Sequence, residues 1–284
     1  MDLAEEYLRR ILKVLTFIEE HVDEEMDFGS LAKIACYSPF HFHRIFQAIV
    51  GETVAQYVKR LRIERAAGKL CYTEQPVTDI ALDANYGTPS AFTKAFKQFT
   101  GKSPKDYRAF HMNAHGLIQE KLKEMTVIKS DKIETVADLN LLFIRRCGSY
   151  LKSPHEAWQA MWGFIEANHL GNSVRRFGIS HDDPAVTNED KLRYDACILA
   201  PSSVKEKGEV GRTLLKGGKY AVFIHHGSYD KLPETFNRIF LIWLGQSGEL
   251  FDETRSPFCE YLKTEYIKTD PSKLVTMIYI PLSL

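Results

Sequence analysis

Two groups of side chains in this 284-residue sequence have types and spacings that could do chemistry. The first recurs along the chain: YSPFHFHRIFQAIVGETVAQY (37–57) returns fifty positions later as GTPSAFTKAFKQFTGKSPKDY (87–107). Ser38/Thr88, Pro39/Pro89, Phe42/Phe92, Arg44/Lys94, Phe46/Phe96, Gly51/Gly101, Thr53/Ser103 and Tyr57/Tyr107 match, eight pairs in twenty-one positions and more than chance supplies. A cation at the same place in each copy suits an anionic partner. The second group is aromatic: Tyr150, Trp158, Trp162, Phe164, Tyr194, Tyr229, Trp243 and Tyr261, with Glu260 beside the last. Aromatic walls and one carboxylate suit a lipophilic cation, held by cation–π attraction and charge pairing. The plainer alternatives are a solvated Arg44, a Phe40 packed in the core with Phe42, core tryptophans, and a strand-surface Glu260 paired with a lysine.

Other chemistries find little support. His225-His226 and His181-Asp182-Asp183 are adjacent residues, which point to opposite sides of a strand and cannot easily share one metal ion. Neither an H-x-x-x-H nor a C-x-x-C accompanies them, and no nucleophile-elbow motif points to Ser–His–acid catalysis. No metal and no cofactor is expected.

Positioning the first group requires helices. Leu8, Ile11, Leu12, Leu15, Ile18 and Val22 form one stripe of a long amphipathic helix. Ser38-Pro39 and Thr88-Pro89 each set an N-cap hydroxyl before a proline at the first helical position. Behind them, Phe42/Phe46 and Phe92/Phe96 turn to a core. LAKIAC and VTDIALDA precede the two starts as short helices, and Asn85 tolerates the left-handed turn of the second pair. Two helix-turn-helix units result, joined by a helix from about Val54 to Tyr72 that carries Lys59, Arg60, Arg62 and Arg65 as phosphate contacts or ordinary surface.

Positioning the second group requires strands. FIRRCGSYLKSPHEAWQAMWGFI (143–165) echoes at an offset of 79 in FIHHGSYDKLPETFNRIFLIWL (223–244). LNLLFIRR and KYAVFIHH read as strands, Ser153-Pro154 and Leu232-Pro233 open helices, and RFGISHD, YDACILAP, PFCEYL and VTMIYIPL read as further strands. Each copy is then strand, strand, helix, strand, strand. A pseudo-twofold pair of such α+β modules leaves a groove as a natural ligand site, faced by the repeated aromatics.

Composition fits this division. Lys plus Arg number 37 and so do Asp plus Glu, yet residues 28–110 carry 12 basic against 6 acidic side chains behind an acidic start of 3 against 9. That block points to a polyanion at one restricted surface. The five cysteines are odd in number and scattered, as expected of buried thiols in a reducing cytoplasm. No signal peptide or run of some 20 apolar residues is visible, so no membrane partner is expected.

The closing stretch of the first half, NYGTPSAFTKAFKQFTGKSPKDYR (85–108), resembles the AraC/XylS family of transcription regulators, over roughly Met26 to Phe110. RRCGSY (145–150), FGISHDDP (177–184), RYDACI (193–198), LKGGKYAVFIHHGSY (215–229), the WL before GQSGEL and CEY (259–261) resemble the GyrI-like effector-binding domain over about Met125 to Leu284. The expected fold is two domains: an all-α tandem helix-turn-helix domain at 1–110, a linker at 111–124, and an α+β domain of two pseudo-symmetric modules at 125–284. The resemblance implies a cytoplasmic regulator that is not an enzyme. It binds an asymmetric double-stranded DNA promoter site, responds to a small organic ligand of an amphipathic, drug-like and often cationic class, and leaves room for RNA polymerase as a partner. Carried over by position, Phe40, His43, Arg44 and Gln47 face DNA from one helix, and Pro89, Ser90, Ala91 and Lys94 from the other. Arg44 can fork onto guanine and Phe40 can touch a thymine methyl. His43 and Asn85 depart from the family pattern. Glu260, Tyr150, Trp158, Trp162, Tyr229, Trp243 and Tyr261 are the expected effector site. Two alternatives stand beside this: a hydrolase of small reactive electrophiles using Glu260 with Tyr150 or Tyr229, and a protein-interaction module in the second half.

Overall fold

The computed structural model describes residues 3–112, 128–171, 174–199, 201–262 and 270–283. The chain divides into two units, Met1–Ala109 with Lys205–Arg212, and Phe110–Val204 with Thr213–Leu284. Lys205–Arg212 thus groups with the first unit although the second repeat surrounds it. Of the expected linker, 111–112 are helical and 113–124 lie outside the described residues, as do 125–127.

Among the described residues the first unit holds the helices α1 (Leu3–Glu20), α2 (Phe28–Ile34), α3 (Pro39–Val50), α4 (Val54–Tyr72), α5 (Val77–Asp83) and α6 (Pro89–Thr100), and α7 (104–112) starts in it. The two copies are built alike. Ser38 Oγ accepts from the His41 amide and Thr88 Oγ1 from the Ala91 amide, each cap contributing about 1 kcal/mol. Both helices stop at a left-handed glycine, Gly51 and Gly101, each at φ 78°. Phe42, Phe46, Phe92 and Phe96 have no exposed surface. α3 and α6 both pack on α4, whose start is fixed by a reciprocal cap between Thr53 and Gln56.

The arginines of α4 face inward to the protein, not outward to a ligand. Arg60 pairs with Glu52 at 2.8 Å and Glu64 at 3.2 Å. Arg62 donates to the Val22 and Glu24 carbonyls, and Arg65 to the Glu19 carbonyl and the Asp23 carboxylate. Arg62 and Arg65 tie α4 to the end of α1 while Arg60 is held by Glu52 and Glu64 beside and within α4, so the expectation of phosphate contacts along this helix is corrected for these three. The acidic partner of Arg65, Asp23, comes from the segment that made the start of the chain look separately charged.

Both helix-turn-helix turns need a left-handed residue, and neither has glycine there: Asn85 sits at φ 61° and Cys36 at φ 54°. Tyr86 and Tyr37 follow, their amides closing on Ala81 and Ala32. Asparagine takes this conformation mildly, whereas cysteine carries the Cβ penalty.

The second unit is one eight-stranded sheet in the order β1-β6-β8-β7-β3-β4-β2-β5. The strands are β1 (Lys132–Val136), β2 (Leu139–Cys147), β3 (Arg176–Ser180), β4 (Arg193–Ile198), β5 (Gly211–Leu215), β6 (Gly218–His226), β7 (Phe258–Tyr261) and β8 (Val275–Pro281). Helix α8 (Ser153–Ala167) interrupts the first four; α9 (Leu232–Arg238), a π-turn at Ile239–Trp243 and α10 (Leu244–Ser247) interrupt the second four. Exchanging each strand for its repeat partner returns the same order, with the pseudo-twofold between β3 and β7. Each module lends its first strand to the other: β1 lies beside β6 and β5 beside β2. Gly148 and Gly227, at φ 128° and 119°, make the equivalent turns after β2 and β6.

Both helices cover one face of the sheet. α8 lies on β2 and β4, and Leu232, Ile239 and Trp243 lie on Ala221, Phe223, Cys259, Ile278 and Ile280. The other face buries Phe143, Phe177, Tyr220 and Phe258, with Phe258 stacked on Tyr279 at 4.3 Å. That face also carries a buried ion network. Asp195 takes Arg145 at 2.7 Å and His181 at 2.7 Å, while Asp182 pairs with Arg193. Among the described residues Cys197 and Cys259 are buried, but Cys36 and Cys147 are exposed and Cys71 half-buried; the expectation of five buried thiols is corrected. Among the described residues no helix is long and apolar enough to cross a membrane.

Two outcomes follow for stability. Cys36→Gly relieves a left-handed penalty of about 1–2 kcal/mol and adds unfolded-chain entropy of about 0.5–1 kcal/mol. A net gain of about 0.5–1 kcal/mol is expected in urea unfolding of the first unit, against a loss for Cys36→Val. Burial works against ionisation of Asp195, but Arg145 and His181 hold its carboxyl down to about 2. A depressed folded value gives stability that is present above the unfolded value of about 3.9 and lost as pH falls towards 2. The melting temperature of the second unit should drop steeply between pH 4 and 2, and Asp195→Asn should flatten that drop while lowering stability at neutral pH.

Candidate functional site

On α3, Phe40, His43, Arg44 and Gln47 are all exposed. Their spacing of i, i+3, i+4 and i+7 puts them on one side of the helix, opposite the buried Phe42 and Phe46. Phe40 is 75% exposed, which removes the alternative that it packs in the core. The Arg44 guanidinium lies 5.8 Å from the centre of the Phe40 ring, so the two form one flat, positively charged end to the stripe. On α6, Pro89, Ser90, Ala91 and Lys94 are exposed, with Ser90 and Lys94 in the places of Phe40 and Arg44. Lys97 and Gln98 extend that stripe and were missed by the sequence reading. The repeat offset was the available signal, because Lys97 stands fifty positions after Gln47.

At α4's nineteen residues, the spacer is about 28 Å long. One turn of DNA is about 34 Å, within the reach of two helices seated at the ends of such a spacer. Arg108 fixes the far end, donating to the Leu70 and Gln75 carbonyls.

In the second unit, the expected effector site separates into four places. Trp158, Trp162, Tyr229 and Tyr261 lie on the helix-covered face and are half-buried. Trp158 meets Trp162 at 6.1 Å and Tyr261 at 5.6 Å, and Tyr229 meets Tyr261 at 5.1 Å. Tyr194, not assigned to the site from sequence, joins them: the Trp158 Nε1–H donates to its hydroxyl at 3.0 Å, and that hydroxyl lies 3.0 Å from the Tyr261 hydroxyl. Gly178 on β3 lies beneath both phenols, where any Cβ would collide with the two hydroxyls.

Tyr150, Trp243 and Glu260 fall elsewhere. The Tyr150 hydroxyl accepts from the Asp182 amide and lies against the Asp182 and Arg193 carbonyls, so backbone occupies it. Burial pushes its ionisation well above the ordinary tyrosine range. Trp243 is buried edge-on against Phe223 in the core under α9. Glu260 precedes Tyr261 on β7 and therefore points through the opposite face. There it takes both donors of Arg175, at 2.7 and 3.1 Å, with the Tyr279 hydroxyl at 3.4 Å. The expectation of one cleft holding Glu260 with these aromatics is corrected by strand alternation. The same alternation separates Glu260 from Tyr229, and backbone contacts occupy Tyr150, so the pairing on which the hydrolase alternative relied is not assembled.

His225 and His226 also divide as alternation demands: His225 is buried against Thr235 and the Ser228 carbonyl, and His226 is exposed. Among the described residues no group of three or more His, Cys, Asp or Glu could hold a metal ion.

Gly178→Ala is expected to force the two phenols apart and break the Trp158–Tyr194–Tyr261 chain, at a cost of about 1–3 kcal/mol. Thermal unfolding measures that loss, and a changed tryptophan emission spectrum reports the released Trp158 indole.

Residues 132–283 match the GyrI-like small molecule binding domain, and residues 31–109 match a helix-turn-helix domain. The transcriptional regulator Rob of Salmonella typhimurium is 26% identical over 230 residues, covering 76% of this chain and 78% of that protein. The regulatory protein SoxS of the same organism is 32% identical over 98 residues, 34% of this chain and 92% of SoxS. The uncharacterized HTH-type transcriptional regulator YbfP of Bacillus subtilis is 38% identical over 104 residues, 37% of this chain and 35% of YbfP, so the chain spans about a third of that relative. A first unit with two capped, outward-facing helices and a second unit of two β-β-α-β-β modules agree with both matches: the chain belongs to the AraC-type helix-turn-helix transcription regulators and carries a GyrI-like small molecule binding domain.

Proposed function

We propose that a single chain grips an asymmetric promoter site by placing α3 and α6 in successive major grooves, and that a small amphipathic organic effector bound in the aromatic groove biases this grip. The DNA-binding domain is then 1–110, the connection 111–124 and the effector domain 125–284. The observation that supports the proposal most is the identical construction of α3 and α6. Both are capped by a hydroxyl before proline, both end at a left-handed glycine, and both expose the side opposite their phenylalanines.

In that arrangement the Arg44 fork meets guanine O6 and N7, and Phe40 covers a neighbouring thymine methyl. His43 and Gln47 line the same groove. The short Ser90 and Ala91, with Pro89 and Lys94, hold the second helix mainly on phosphates and so fix register. The effector regulates only by binding the DNA-competent and incompetent arrangements with different affinity. RNA polymerase is the further partner that such a regulator addresses.

Gel-shift titrations across a salt series test the DNA contacts. Arg44→Ala should weaken binding to the preferred duplex by about 1–3 kcal/mol and relax the preference at one base pair. Lys94→Ala should weaken binding to all duplexes alike and flatten the log–log salt slope by about one. Equal binding of wild type and both variants to any duplex, without salt dependence, would contradict the proposal.

A further inference from the structure

Phe40 and Arg44 differ from the other exposed side chains of the first unit, each in its own way. At 75% exposure, Phe40 is the most exposed large apolar side chain described there. The arginines of α1 and α4, with Arg108 and Arg212, all donate to carboxylates or backbone carbonyls. Among the described residues Arg44 has no such acceptor, so its five N–H donors are left for a partner. The two belong together: the guanidinium stands over the ring, 5.8 Å from its centre. α6 has no equivalent, because Ser90 and Lys94 occupy the corresponding places.

What such a pair can read follows from its chemistry. A fork of N–H donors is satisfied by two acceptors side by side, which guanine supplies as O6 and N7. A guanidinium forked onto guanine lies in the plane of that base. The ring that it stands over is then displaced out of the plane, towards a neighbouring base pair about 3.4 Å along the duplex. A phenyl ring has no donor or acceptor, so it recognises apolar surface alone. At the major-groove base edges that surface is the C5-methyl group of thymine. Thymine and cytosine differ there by the O4 acceptor and the N4 donor, to which the ring is blind. 5-Methylcytosine carries the same methyl group at the same place.

We infer that Phe40 and Arg44 together read one base step, a guanine beside a pyrimidine that bears a C5-methyl group, and that thymine and 5-methylcytosine serve equally in it. This rests on the proposed seating of α3 in the major groove and adds a property to it. Methylation of a cytosine beside that guanine creates the step, so the grip of α3 responds to cytosine methylation and that of α6 does not.

The test uses the full chain and a duplex selected from a random library for tight binding. The guanine that Arg44→Ala ceases to distinguish marks the step. At the pyrimidines beside it, thymine, uracil, cytosine and 5-methylcytosine are placed in turn, each with its matching purine. Dissociation constants are measured by fluorescence anisotropy for wild type, Phe40→Ala and Lys94→Ala, and melting curves establish that both variants are folded. One buried methyl group is worth about 0.8 kcal/mol, or about fourfold in affinity. Thymine should therefore exceed uracil, and 5-methylcytosine exceed cytosine, by about fourfold, with thymine and 5-methylcytosine agreeing within about twofold. Phe40→Ala should erase both methyl effects and keep the guanine preference, whereas Lys94→Ala should weaken all four duplexes alike. Equal binding of the thymine and uracil duplexes, or a methyl effect that survives Phe40→Ala, overturns the methyl reading. Thymine bound well above 5-methylcytosine overturns the equivalence, because a polar group then reads the 4-position. If Arg44→Ala leaves every base preference unchanged, the seating of α3 itself fails, and the step falls with it.

Discussion

Each half of this chain is two copies of one small unit, and neither copy can bury its apolar face alone. That shared burial is the constraint behind the rest of the structure. In the first half, two short helix pairs close their phenylalanines against the single helix α4, which fixes α3 and α6 at its flanks. In the second half, the exchange of first strands obliges the modules to fold as one sheet, with β3 and β7 paired at the centre. Duplication therefore yields like surfaces twice over: two exposed helical stripes, and two helices on one face of a continuous sheet.

The period of two along the central strands then sorts the chemistry. Charged groups that need partners gather on one face, where Asp195, Arg145, His181, Asp182 and Arg193 satisfy one another and Glu260 takes Arg175. Tyr194, Tyr261 and Trp158 gather on the other, with Tyr194 and Tyr261 meeting over Gly178, the residue that gives them room. Buried ion pairs of this kind lock geometry more than they add net stability. The ion network fits a role in holding the face of the sheet opposite α8 and α9.

Much of this was legible in the sequence. The offsets of 50 and 79 gave both duplications, the Ser-Pro and Thr-Pro starts gave α3 and α6, and the four exposed positions of α3 were implied by the family resemblance. What escaped has physical reasons. Strand exchange between modules leaves no local mark, because β1 reads the same whichever hairpin it joins. The inward roles of Arg62 and Arg65 depend on partners about forty residues away, mostly backbone carbonyls, which carry no sequence signal, whereas Arg60 pairs with Glu64 at helical spacing four. Glu260 is different: its adjacency to Tyr261 already implied opposite faces, the same rule that separated His225 from His226. Tyr194 was passed over for the site although it stands in a β-run, since its place depends on the pairing of β3 with β4.

The most direct test of the duplicated construction is hydroxyl-radical footprinting with methylation interference at a preferred duplex, at a protein stoichiometry fixed by sedimentation. One chain should protect two major-groove segments on one side of the helix, centred about 10 base pairs apart, within a site that is not a palindrome. A single protected segment per chain, or a palindromic site occupied by two chains, would contradict the account.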